Sequence, residues 1–111
     1  MGRYRVGGIK MQELIDKVQE LVTFELERAN TIHPPKFNSM HEAYAVILEE
    51  YEEAEREISI FKDALGWSVW RNIKDDCYEL ACAGFKDIER IAIAAASEMI
   101  QVAAMARKAR M

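Results

Sequence analysis

Residues 39–61 read SMHEAYAVILEEYEEAEREISIF, and the fold turns on how this stretch is read. Ala43, Tyr44, Ile47, Leu48, Tyr51, Ala54, Ile58 and Phe61 recur at steps of three and four, the period of an amphipathic helix. Ser39 stands at the N-cap, and Glu42 follows three residues later to complete a capping box. Gly66, just after Leu65, supplies a C-terminal stop. The spacing therefore predicts one long helix over about Met40–Ala64.

The same period extends in both directions. Upstream, Met11, Leu14, Ile15, Val18, Leu21, Val22, Leu26 and Ala29 form an apolar stripe between charged positions, giving a first helix over Met11–Ala29. It stops before His33-Pro34-Pro35, since a proline disfavours helical geometry in the residue before it and lacks the N–H a helix needs. Downstream, Ser68–Ala83 reads as a third helix, Gly84 as a break, and Lys86–Arg110 as a fourth helix. From Ile91 to Ala106 that last helix is apolar nearly all round, the pattern of a helix surrounded by others. A chain of 111 residues can hardly wrap it alone. The expectation is an all-α, four-helix bundle-like protomer, completed as a homodimer or homotetramer. No stretch alternates with the period of a strand, so residues 1–111 form a single domain, with residues 1–9 a frayed arm.

Composition narrows the function. Half the residues are apolar and 31% are charged, which is a globular balance rather than a disordered one. A net charge of −4 lacks the basic surface that nucleic-acid backbones require. Cys77 and Cys82 lie on different sides of a helix and read as reduced packing residues, which points to the cytoplasm. The glycine-rich start lacks the apolar run of a secretory signal, and Glu98 interrupts the most apolar stretch, so neither export nor a membrane span is expected.

Six glutamates crowd residues 49–57. On a helical wheel Glu49, Glu50, Glu53 and Glu57 share an arc beside the apolar stripe, while Glu52 and Glu55 point elsewhere. Carboxylates stacked at three- and four-residue steps repel, and a hard divalent cation would offset that cost; a solvated acidic face is the other reading of the run. Glu98 adds a second signal. It is the one formally charged residue between Ile91 and Ala106, and Gln101 lies one turn further on the same face. Glu50 and Glu53 opposite Glu98 and Gln101 on an antiparallel helix would build an oxygen-lined metal site.

The string from His41 to Glu53, with Glu98-Met99-Ile100-Gln101 later in the chain, resembles the MazG-like all-α nucleoside triphosphate pyrophosphohydrolases, including their small phage and prophage members. That family pairs EExxE on one helix with ExxD on a later one. Glu49, Glu50 and Glu53 match the first motif, whereas the second matches at Glu98, with Gln101 in place of Asp and a longer stretch between the motifs. The resemblance covers about residues 37–65 and 94–108. It implies Mg²⁺ held by Glu50, Glu53, Glu98 and Gln101, with Glu49 and Glu53 serving the chemistry. The reaction it implies is water attack on the α-phosphorus of a (d)NTP, giving a (d)NMP and pyrophosphate. His41, Arg107 and Lys108 are then the candidate substrate contacts, and Trp67, Trp70 and Tyr4 the aromatics available to a base. No P-loop, zinc motif or nucleophile elbow offers a different chemistry. The competing expectations are a non-catalytic helical interaction protein and a degenerate member that binds nucleotide or metal without turnover.

Overall fold

A computed structural model describes residues 10–111. The arm expected at residues 1–9, and Tyr4 with it, lies outside the described residues. Four α-helices follow in order: α1 Met11–Ile32, α2 Met40–Asp63, α3 Trp70–Lys74 and α4 Tyr78–Ala109, with a π-helical segment Ala64–Val69 joining α2 to α3. The described residues are all-helical, as expected. None of their helices is long and apolar enough to cross a membrane.

The helix boundaries follow local chemistry. α1 runs three residues beyond its expected end, and His33 stops it in an extended conformation (φ −124°, ψ 159°), as a residue before proline must. The Ser39 hydroxyl caps α2 by accepting the Glu42 N–H at 3.0 Å. The other half of the expected capping box is redirected. The Glu42 carboxylate accepts from the backbone N–H of Asn38 at 2.9 Å and from its side-chain amide at 3.1 Å.

Two expected breaks are absent, and one unexpected break replaces them. Gly66 does not end α2, because the backbone widens into the π segment and continues as a single rod from Met40 to Lys74. Gly84 does not separate two helices; it lies buried within α4, which runs uninterrupted for 32 residues. The chain instead reverses at Asp75-Asp76-Cys77. The Cys77 N–H donates to the Asn72 carbonyl at 2.9 Å and the Asp76 N–H to that of Ile73 at 3.2 Å, while Asp76 takes φ 54°. This is a Schellman ending with aspartate in the left-handed position usually given to glycine. The expected four-helix protomer is thus three rods: α1, the α2–π–α3 rod and α4.

α4 is the common partner. It packs against α1, α2, α3 and the π segment, whereas α1 packs against α4. Val22, Leu26 and Ala29 of α1 meet Ala104 and Met105 of α4 in the core, with Phe37, Val46, Ile47 and Ile100 against them. Elsewhere small residues set the contacts: Ala43, Ala54, Ala81 and Gly84 are buried, and a β-carbon built on Gly84 would lie 2.8 Å from Cγ2 of Val69. Gly84 is there so that α4 can approach the π segment.

Backbones that approach this closely leave little room for large side chains. Val69 is the largest that is fully buried, while Phe24, Tyr44, Trp67 and Ile93 are 60–69% exposed. Tyr44, Leu48, Tyr51 and Ile58 of the expected α2 stripe are exposed too, and α4 turns Ile93 and Met99 outward rather than being enclosed. The radius of gyration is 17.7 Å, against about 13 Å for a compact chain of this length. A single copy leaves its apolar stripes half covered. Cys77 and Cys82 are free, as expected, but Cys82 is exposed and does not pack.

Candidate metal centre and adjoining cavity

Glu50 and Glu53 are three residues apart on α2 and so share a face, and α4, packed against α2, brings up Glu98. One carboxylate oxygen from each of the three lies within 4.8 Å of the other two, and all three residues are half-buried. Oε2 of Glu50 and Oε2 of Glu98 are buried without a hydrogen-bond partner among the described residues. The ion pairs among the described residues, Arg28–Glu25 and Arg90–Asp87, leave all three glutamates without a basic partner.

The electrostatics follow from this geometry. Burial pushes the Glu50 carboxyl above the ordinary carboxylate range, and the negative charges of Glu53, Glu98, Glu49 and Glu25 push it further. Glu98 is raised for the same first reason, then by the charge and hydrogen-bonding reach of Glu53 and by Glu57; Arg56 opposes the shift. Unpaired buried oxygens and mutually repelling carboxylates are costly unless a proton or a cation joins them. An all-oxygen donor set fits a hard cation of the Mg²⁺ or Ca²⁺ kind, and Gln101 can add a neutral carbonyl.

A cavity of about 380 Å³ adjoins the triad, with Glu50 and Gln101 on its wall. It lies between the C-terminal end of α1, the loop before α2, and the facing stretches of α2 and α4. Arg28, Lys36 and Lys108 bring positive charge to it and Glu25, Glu42 and Glu50 an equal number of carboxylates, with Arg28 already paired to Glu25 at 2.7 Å. Lys108 is 5% exposed, and its Nζ sits 4.7 Å from the centroid of the Phe37 ring.

The residues singled out in the sequence divide into two groups. Glu50, Glu53 and Glu98 come together; Gln101 and Lys108 line the cavity; Glu49 is exposed, with its charge felt at Glu50. His41 is exposed and does not line the cavity. Arg107 donates to the Thr23 hydroxyl at 2.8 Å and lines a separate apolar groove between α1 and α4. Trp67 and Trp70 belong to the far end of the rod; fourteen residues separate Glu53 from Trp67, about 21 Å at helical rise. Sequence reasoning read His33 as a loop residue beside the two prolines and passed over Arg28, Lys36 and Phe37. The available signal was the loop His33-Pro34-Pro35-Lys36-Phe37, which sets a cation and an aromatic between two amphipathic helices.

No family model matches the chain, and no curated protein or solved structure is detectably similar to it.

Proposed function

We propose that the protein is a divalent-cation-dependent hydrolase of nucleoside triphosphates, of the kind the MazG-like resemblance implies, acting on a (d)NTP to give a (d)NMP and pyrophosphate. One observation carries the reading: Glu50, Glu53 and Glu98 converge within 4.8 Å, with buried oxygens on Glu50 and Glu98 that no group among the described residues satisfies. Glu50, Glu53 and Glu98 hold the cation, Mg²⁺ in this reading, and Gln101 adds a neutral oxygen. When bound, such a cation neutralises phosphate charge and lowers the pKa of a coordinated water. Glu49, beside Glu50 and open to solvent, takes the proton of the attacking water, and Glu53 fixes the geometry of the acidic cluster. Water oxygen bonds to the α-phosphorus, the bond from that phosphorus to the α,β-bridging oxygen breaks, and pyrophosphate leaves. Lys36 and Lys108, at the cavity, offset part of the charge of the polyphosphate. Gln101 in place of an aspartate lowers the site's negative charge by one, which favours weaker cation binding and quicker release.

The exposed apolar faces of α1 and α4 support a homodimer or homotetramer in which a second copy covers them. They also favour the rival reading of a helical interaction protein. Purified protein incubated with a panel of canonical and modified NTPs and dNTPs, with and without Mg²⁺, separates the two. Pyrophosphate and monophosphate should appear only with Mg²⁺, and Glu53→Gln should lower the rate by about 10²-fold or more. Folded protein that turns over no nucleotide would leave the interaction reading standing.

A further inference from the structure

The α2–π–α3 rod carries a second stripe that neither the triad nor the cavity uses. Tyr44, Leu48, Tyr51, Glu55, Ile58, Lys62 and Leu65 recur at alternating steps of four and three, the heptad spacing of a helix that pairs with another along a seam. The π segment then shifts the phase, and the stripe resumes at Trp70 and Ile73. In all it covers about four heptads. Every apolar member is 41–69% exposed. The buried residues of α2, Ala43 and Ala54, precede Tyr44 and Glu55 by one position, about 100° around the helix, so the stripe flanks the face that meets α4. None of its members belongs to the triad or lines the adjoining cavity.

The order of residues along the stripe says what covers it. Ile58 stands near the middle. Glu55 lies three residues before it and Lys62 four after; Tyr51 and Leu65 lie seven to either side. Beyond them, Tyr44 and Leu48 at one end balance Trp70 and Ile73 at the other. The two charges on the stripe are of opposite sign, and neither forms an ion pair among the described residues. The Tyr51 hydroxyl donates to the Glu55 carboxylate at 3.4 Å and holds that charge along the stripe. A stripe with this order complements a reversed copy of itself. It does not complement a copy running the same way, which would set Glu55 against glutamate and Lys62 against lysine.

We propose that this flank is the seam of a symmetric dimer, in which two rods run antiparallel about a two-fold axis near Ile58 and Glu55 of each copy pairs with Lys62 of the partner subunit. Tyr51 then meets Leu65 of the partner subunit, and the Tyr44–Leu48 end of one rod lies against the Trp70–Ile73 end of the other. Each copy gives and receives the same contacts, as a two-fold interface requires. The surface to be covered is there: the chain exposes 8843 Å², against about 6300 Å² for a folded monomer of its mass. That excess is larger than the roughly 800 Å² each partner gives to a standard interface. The seam is separate from the exposed faces of α1 and α4, and it stands whatever ligand the triad takes.

Sedimentation equilibrium of the full chain across the micromolar range tests it. The wild type should associate, and Ile58→Glu, which sets like charges against each other at the axis, should raise the dissociation constant about tenfold or more. Glu55→Lys and Lys62→Glu should each weaken association in the same way, while both substitutions in one chain should restore it to within about threefold of wild type. All three positions are exposed, so circular dichroism should show each variant as helical as the wild type. A wild type that stays monomeric, an association indifferent to Ile58→Glu, or a double reversal that fails to recover what the single reversals lose would overturn the seam.

Discussion

Around its C-terminal half, α4 meets α1 and contributes Ala104 and Met105 to a core with side chains from α1 and the loop before α2. Around its N-terminal half it meets the π segment and α3, and Gly84 lets the backbones come close against Val69. The first half leaves a cavity and an acidic triad between its helices. The second half closes tightly and exposes its large aromatics, Trp67, Trp70, Tyr78 and Phe85. Helices held apart by medium-sized side chains leave space that polar groups can line, whereas helices in backbone contact leave less: the hollow at Asn72, Asp76 and Tyr78 is about 210 Å³. The functional candidates sit at the end of the molecule where packing is looser, and the tight end works as a brace.

This contrast can be broken at its tightest point. Gly84→Ala puts a methyl 2.8 Å from Cγ2 of Val69, a β-branched side chain 2% exposed that strongly prefers one rotamer in a helix. Overpacking of about 2 kcal/mol should exceed the gain of about 1 kcal/mol in helix propensity, so urea denaturation should show net destabilisation. Gly66→Ala is the counterpart: nothing lies within 4 Å of its β-carbon position, and the change should stabilise by about 0.5–1 kcal/mol. If both glycines respond alike, the close contact at Gly84 does not govern the brace.

The turn between the rods allows a second comparison. Asp76 holds φ 54° without glycine's freedom, so Asp76→Gly should raise stability by about 0.5–1 kcal/mol, read from the same denaturation curves. The smallest effect concerns pH at the triad. Glu50 and Glu98 are raised in the folded chain, so the folded state binds protons more tightly than the unfolded state. Stability without metal should therefore fall as pH rises from the ordinary carboxylate range through the raised values. Thermal melts at pH 5 and pH 7.5 in chelator should show the lower Tm at pH 7.5, and millimolar Mg²⁺ should reverse that order.

The elements legible in the sequence were those written in patterns of side chains. The apolar period gave α1 and α2, Ser39 gave the start of α2, and the pairing of Glu50 and Glu53 with a lone Glu98 anticipated the triad. What escaped depends on neighbours. A glycine is the absence of a side chain, and nothing local distinguishes Gly84 as a close-packing position from Gly84 as a helix end. Asp75-Asp76 ended the rod because Asp76 tolerates a left-handed backbone, a weaker signal than the glycines nearby. Arg107 looked equivalent to Lys108 as a phosphate donor. One step around α4 turns it to Thr23 while Lys108 enters the cavity.

In the proposed reading Glu50, Glu53 and Glu98 are assembled for a cation rather than for solvent. Thermal melts of wild type and Glu98→Gln across a Mg²⁺ titration at pH 7.5 and constant ionic strength test it most directly. The wild type should gain stability with saturation, by about 2.7 kcal/mol at a hundredfold excess over the dissociation constant. Glu98→Gln should start more stable than wild type without metal, because a repelled charge is gone, and should gain little on titration. A wild type that responds to Mg²⁺ no more than the variant does, with both following ionic strength alone, would contradict the claim and make the triad an acidic surface.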